Sequence, residues 1–250
     1  MLKPEVIRSL QLGAMLYRAR TVRDYDAARA IEKDPVRQLG PTPRDRAGSQ
    51  RMTPNGISAL YCALERDTCL SEIRSITGDR VVSGAMTPIN EIKLLDLTRL
   101  ADIEPPKLTL FDVGYLEAMH LKTFINSLVK KMSRPRGRND DLSYLSTQVV
   151  FEYLRQRFGQ QVDGLVFPSV QTGEIGTNVV LFPEACVISE TEHVLQTDDD
   201  MPGALAGQAV AQYKKGERLA FVAKSLRFHK VVAIETRAHE HEHLGGLFHH

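Results

Sequence analysis

An α+β fold is what the sequence predicts, on three observations. Strand-like and helical segments follow one another without the regular alternation of a doubly wound sheet. Two long helical patterns, 115–132 and 143–158, stand next to each other in the chain, with strand-like runs on both sides. No segment repeats at a fixed period, which excludes a solenoid or a propeller.

Element by element, residues 1–22 read as a short helix followed by a strand over Met15–Arg20. The polar segment 34–50 carries Pro35, Pro41, Pro43 and Gly48 and reads as a long loop, a length that suits a functional lid. Apolar residues over 57–63 predict a buried strand. Leu64, Cys69, Leu70, Ile73 and Ile76 then share one face of a helix over 64–76. Strands are expected at 79–87 and 92–97, before the two long helices, the second of which stops at Gly159. Between those helices the charged run Ser133–Asp141 is a connector.

Two short strands, 163–167 and 178–182, flank the turn-rich segment 171–177, where Gly173 and Gly176 mark a hairpin turn rather than a phosphate-cradling loop. Another strand fits 185–189. Beyond residue 190 an acidic break, Asp198–Asp200, leads to strand-like runs at 218–223 and 231–235 and a His-rich end.

Composition narrows the function classes. The 250 residues suffice for one well-packed domain with an extension, and 42% are hydrophobic. A net charge of +1 and 6% aromatics with no Trp give neither a polyanion-binding field nor a base-stacking platform. The basic run from Lys130 to Arg138 adjoins Asp140 and Asp141 and reads as a solvated connector, so no nucleic-acid binding is expected. Three cysteines, Cys62, Cys69 and Cys186, form no C-x-x-C pair and read as small buried side chains in a reducing compartment. No apolar stretch is long enough to span a bilayer, so a cytoplasmic protein without membrane association is the expectation. The imidazoles of His239, His241 and His243 read as a frayed polar terminus, and no metal site is expected.

The chemistry concentrates in four residues. Arg51, Tyr61 and Glu72 lie close together, and Ser169 follows far downstream in Phe167-Pro168-Ser169. A guanidinium suits a pyrophosphate, a phenol offers a ring face and a hydroxyl, and a carboxylate stabilises an oxocarbenium-like state at a ribose carbon. Ser169 is in no G-x-S-x-G elbow and is read as a hydrogen-bonding group, not a nucleophile. No Gly-rich dinucleotide motif is present, so any dinucleotide is held differently from the way a dehydrogenase holds it.

With its surroundings this constellation resembles the RES domain family, named after its Arg, Glu and Ser. A Pro/Gly-containing turn follows Arg51, Tyr61 comes ten residues on, and Glu72 eleven further, in a helix. A Pro168-Ser169 pair ends the strand Asp163-Gly164-Leu165-Val166-Phe167, and Tyr17-Arg18 and Thr177-Asn178-Val179-Val180 echo two further family strands. The resemblance covers residues 14–188, read as the NAD-binding catalytic domain, and leaves 190–250 as a β-rich C-terminal extension. Met52 departs from the aromatic residue that often follows the family's arginine.

The resemblance implies an ADP-ribosyltransferase-like domain, with central mixed or antiparallel sheets flanked by helices and NAD⁺ in a central cleft. It implies NAD⁺ as substrate, cleaved at the nicotinamide–ribose bond by hydrolysis or phosphorolysis. Protein ADP-ribosylation in the same cleft, or a non-catalytic nucleotide- or antitoxin-binding module, are the alternatives. It implies a toxin neutralised by an Xre-type antitoxin, and self-association is compatible with it. Glu72 is the expected catalytic carboxylate, with Arg51, Tyr61 and Ser169 as grip and positioning groups; Arg18 and Asn178 are further NAD contacts. Read singly, Arg51 is equally a loop arginine, Tyr61 a core tyrosine and support for Arg51, and Ser169 a turn serine. Glu72, placed on or beside a buried face, is otherwise a structural ion pair with Arg51 or Arg18. Arg18 is otherwise a solvated strand-edge residue and Asn178 a strand-start residue.

Overall fold

The computed structural model describes residues 4–102, 111–133, 144–173, 175–193 and 213–233. The His-rich end, the acidic break and most of the basic connector lie outside the described residues. The fold is α+β, built on one mixed ten-stranded sheet. Its strands are β1 (Ile7–Leu10), β2 (Leu16–Val22), β3 (Leu60–Ala63), β4 (Arg80–Pro88), β5 (Ile92–Asp96), β6 (Gly164–Pro168), β7 (Thr177–Leu181), β8 (Ile188–His193), β9 (Leu219–Val222) and β10 (Arg227–Lys230). They run in the order β1-β5-β6-β7-β3-β2-β4-β9-β8, with β10 also on β4. β5–β6 and β8–β9 are parallel, and the other pairs are antiparallel. Both β9 and β10 join the sheet that carries the earlier strands, so the described part of the chain beyond residue 190 extends that sheet.

Helices cover both faces: α1 (Tyr25–Lys33), α2 (Pro35–Leu39), α3 (Arg66–Glu72), α4 (Leu97–Asp102), α5 (Tyr115–Ser133) and α6 (Leu145–Phe158). Burial on both faces explains why Leu165–Phe167 of β6 and Val179–Leu181 of β7 read as continuous apolar runs instead of alternating ones. In β7, Val179 and Leu181 face one core with Leu16, Leu60 and Phe221, while Val180 faces the other with Phe151, Leu165 and Phe182.

Three expectations are corrected. The first residues form a single 3-10 turn, Pro4–Val6, and then β1, because a helix this short nucleates poorly while β1 gains four rungs on β5. The 34–50 segment is not one loop, since α2 occupies Pro35–Leu39 and a 3-10 turn Arg44–Arg46. Asp34 caps α2 by accepting from Arg37 N at 3.1 Å, and Pro35 fits its first turn, where no amide partner is needed. The last described strand is Arg227–Lys230, and Val231–Ala233 carry none. β10 is polar and largely exposed, and it pairs only with the Arg80–Ser83 end of β4.

β10 brings a half-buried polar network together. Arg66 Nη1 donates to Ser83 Oγ at 2.5 Å, and Ser83 Oγ lies 2.9 Å from His229 Nε2. The guanidinium can only donate, which leaves the Ser83 proton for Nε2 of a neutral imidazole. Burial, with Arg66 nearby, holds the His229 pKa below its ordinary 6.5. The neutral ring's contribution to stability is therefore complete above about pH 6.5 and is lost as pH falls toward the folded-state value. Thermal melts at pH 8 and pH 5.5 are expected to differ less for His229→Gln than for the wild type. Equal pH dependence in the two proteins would show that His229 does not set it.

Candidate active site

The site lies where the sheet comes apart. β2 shares seven rungs with β4 but only one, Tyr17↔Ala63, with β3. The residues that would form the next rungs, Arg18 and Ala19 on β2 and Cys62 and Tyr61 on β3, instead line a cavity of about 380 Å³. That volume is in the range of small-molecule sites. α3 contributes Cys69 and Glu72, Ile73 follows at its C-terminal end, and Phe167, Asn178 and Val179 come from β6 and β7. All four principal residues meet here, with Ser169 fully buried behind Glu72.

Glu72 is the last residue of α3 and is half-buried. Ser169 Oγ and Asn178 Nδ2 both donate to its Oε1, each at 2.6 Å. Hydrogen bonds to an ionised acceptor are short and strong, so two neutral donors stabilise and orient the charge. Among the described residues Oε2 has no protein hydrogen bond, and Glu72 lines the cavity. Ser169 thus acts on the carboxylate, and Asn178 is the second donor to it.

The approach of α3 to the 169–176 loop sets this geometry. Ser169 N donates to Gly176 O at 2.8 Å, and Gly176 N donates to Thr172 Oγ1 at 2.9 Å. A Cβ on Gly176 would collide with the Thr68 side chain of α3 and come within 2.8 Å of Thr172 Oγ1. Glu65 Oε2 accepts from Thr68 Oγ1 at 2.9 Å and from Thr177 N at 2.8 Å, fastening the start of α3 to β7. Gly176→Ala is therefore expected to push α3 away from Ser169 and destabilise the fold by about 1–3 kcal/mol. Denaturant titration and turnover check this, and wild-type values of both would contradict it.

Arg51 and Tyr61 are coupled. The Tyr61 hydroxyl accepts from Met52 N at 3.0 Å and lies 3.2 Å from Thr53 Oγ1, while the residue also lines the cavity. Burial pushes the phenol up to about 12, so it stays protonated near neutral pH. Tyr61 therefore supports the Arg51 segment and walls the cavity as well. The Arg51 guanidinium lies 5.9 Å from the Phe167 ring centroid, and Met52 is fully buried in the core behind it.

Two α6 residues that the sequence reading did not single out hold this segment. Thr147 Oγ1 donates to Arg51 O at 2.6 Å. Gln148 Nε2 donates to Ser49 Oγ and Gln50 O, both at 2.8 Å, and approaches Thr53 O at 3.3 Å. Nothing local in the sequence announces these contacts, which satisfy backbone groups almost a hundred positions away. Tyr144 at the start of α6, Gln50, and Arg74 just beyond α3 complete the walls. Arg74 has φ +50°, a conformation costly for a non-glycine residue.

Arg18 lines the cavity, and its Nη1 is buried with no hydrogen-bond partner. Burial lowers its pKa, yet a guanidinium remains charged near neutral pH. Cys62 and Cys69 also border the cavity; burial raises both thiols to about 12, which leaves them un-ionised and poor nucleophiles.

A split sheet holding a hydrogen-bonded carboxylate beside arginines and a tyrosine defines an α+β domain with a polar, cation-walled cleft. Residues 15–201 match the family model of the RES domain, and the chain belongs to that family. Membership is consistent with an NAD-related enzyme of the toxin–antitoxin type. Comparison with curated proteins gives no match. Among the described residues no helix is long and apolar enough to cross a membrane, and no group of three His, Cys, Asp or Glu side chains is placed to hold a metal ion.

Proposed function

We propose that this protein cleaves the nicotinamide–ribose bond of NAD⁺, with Glu72 as the catalytic carboxylate. The observation that carries the reading is the Glu72 carboxylate, fixed at one oxygen by Ser169 and Asn178 at 2.6 Å and presented to a cleft that also contains Arg18 and Arg51. In the reaction the C1′–N bond breaks heterolytically and its electron pair leaves with the pyridine nitrogen, giving neutral nicotinamide. Positive charge grows on the ribose, where a preorganised carboxylate stabilises it. A water oxygen then bonds to C1′ and loses a proton to solvent, giving ADP-ribose; a phosphate oxygen in its place gives ADP-ribose phosphorylated at that same carbon.

Arg51 and Arg18 offset the pyrophosphate charge, Tyr61 packs against the nicotinamide riboside, and Ser169 and Asn178 position Glu72. We further propose that the protein acts in the cytoplasm as the toxin of a two-component module, covered at this cleft by an Xre-type antitoxin; its RES domain supports this reading. The test is incubation of the purified chain with NAD⁺ labelled in the adenylate half. Free nicotinamide with soluble labelled ADP-ribose or its phosphate is expected. Label attached to protein would replace this reading with ADP-ribosyl transfer, and absence of nicotinamide release would remove the catalytic reading.

A further inference from the structure

A second cavity, of about 590 Å³, adjoins the first, and Arg18 and Ala19 stand in the walls of both. Its lining adds Arg20 from β2, Arg37 from α2 and Arg46 from the 3-10 turn, along with Gly40, Pro41 and Pro43. No acidic residue is among the described residues that line it. Arg20 Nη1 donates to Gln38 Oε1 at 3.0 Å and approaches Gln38 O at 3.4 Å; both acceptors are neutral and leave its charge in place. Arg46 is only loosely paired with the exposed Asp45, at 4.0 Å. Four guanidinium groups around one chamber repel one another and focus a positive field into it.

The independent sign of a ligand is Arg18. Its Nη1 is buried and unpartnered, a cost that an acceptor arriving from either chamber would remove. The first cavity must place a ribose carbon against Glu72, which commits it to the nicotinamide end of a dinucleotide. Resting on that reading, we propose that the second cavity is the ADP subsite: Arg37 and Arg46 hold the phosphate distal to the scissile bond, Arg18 bridges the two chambers, and the Pro41–Pro43 wall receives adenosine. The segment expected from sequence to be a lid then forms part of the nucleotide site.

Calorimetric titration of the full chain tests this, with ADP as probe of the second chamber and nicotinamide as probe of the first. In Arg37→Gln/Arg46→Gln, ADP affinity is expected to fall by about tenfold or more while nicotinamide affinity holds. Both arginines are exposed, so folding should survive, and a melting curve with the single Arg46→Gln variant guards against misfolding. ADP binding equal to wild type in the double variant, or no ADP binding by the wild type, overturns the subsite. Nicotinamide release from NAD⁺ by a wild type whose ADP affinity ignores these arginines would sink the subsite alone. ADP binding lost in the variant without any NAD⁺ cleavage by the wild type would keep the subsite and sink the reaction.

Discussion

Glu72→Gln is expected to lower NAD⁺ turnover by roughly 100- to 1000-fold, the scale of removing one preorganised electrostatic group at a reacting centre. The substitution is nearly isosteric. A glutamine amide oxygen can still accept from Ser169 Oγ and Asn178 Nδ2, so the arrangement survives while the negative charge does not. Glu72 is half-buried and hydrogen-bonded to neutral donors, so loss of its charge should leave the melting temperature close to that of the wild type. Nicotinamide release under saturating NAD⁺ is the measurement. Retained turnover would show that the carboxylate holds the loop and contributes nothing to the chemistry.

Phe151→Ala should give the largest loss of stability, about 3–5 kcal/mol from the vacated core volume. Phe151 is fully buried on α6 and packs edge-on against Phe182, with centroids 5.2 Å apart and planes at 72°. The neighbouring turn of the same helix carries Thr147 and Gln148, which hold the backbone around Arg51. Loosening α6 therefore reaches the cleft through the Arg51 segment. Denaturant titration should show the loss, and at temperatures where the variant is folded KM for NAD⁺ should rise more than kcat falls. A destabilisation under about 1 kcal/mol would mean that the site collapses around the missing ring.

What was legible in the sequence depended on where each signal resides. Arg51, Tyr61 and Glu72 sit within one short segment, and their chemistry is carried by side-chain type, so the constellation was readable before any fold was known. Ser169 was readable through the strand that precedes it. β6 and β7 were visible because burial on both faces leaves short uninterrupted apolar runs. The partner of Glu72 was not visible. Sequence offered an arginine ion pair as the competing explanation, whereas the structure supplies Ser169 and Asn178, brought there by loop packing at Gly176. Thr147, Gln148 and Glu65 were equally hidden, because they satisfy backbone groups that only the folded chain brings near. α1 and α2 were missed even though Asp24 and Asp34-Pro35 are helix-start signals, since the prolines that follow read more strongly as loop. The splitting of the sheet after a single β2–β3 rung, which creates the cleft, has no local signature at all.

In the proposed reaction the charge on Glu72 serves bond breaking and the charge on Arg51 holds the substrate. Steady-state release of nicotinamide from NAD⁺ by wild type, Glu72→Gln and Arg51→Gln, resolved into kcat and KM, tests it most directly. Glu72→Gln is expected to lose kcat with little change in KM, and Arg51→Gln to raise KM by about tenfold or more while keeping much of kcat. A reversal of these two signatures, or a wild type that releases no nicotinamide, would contradict it.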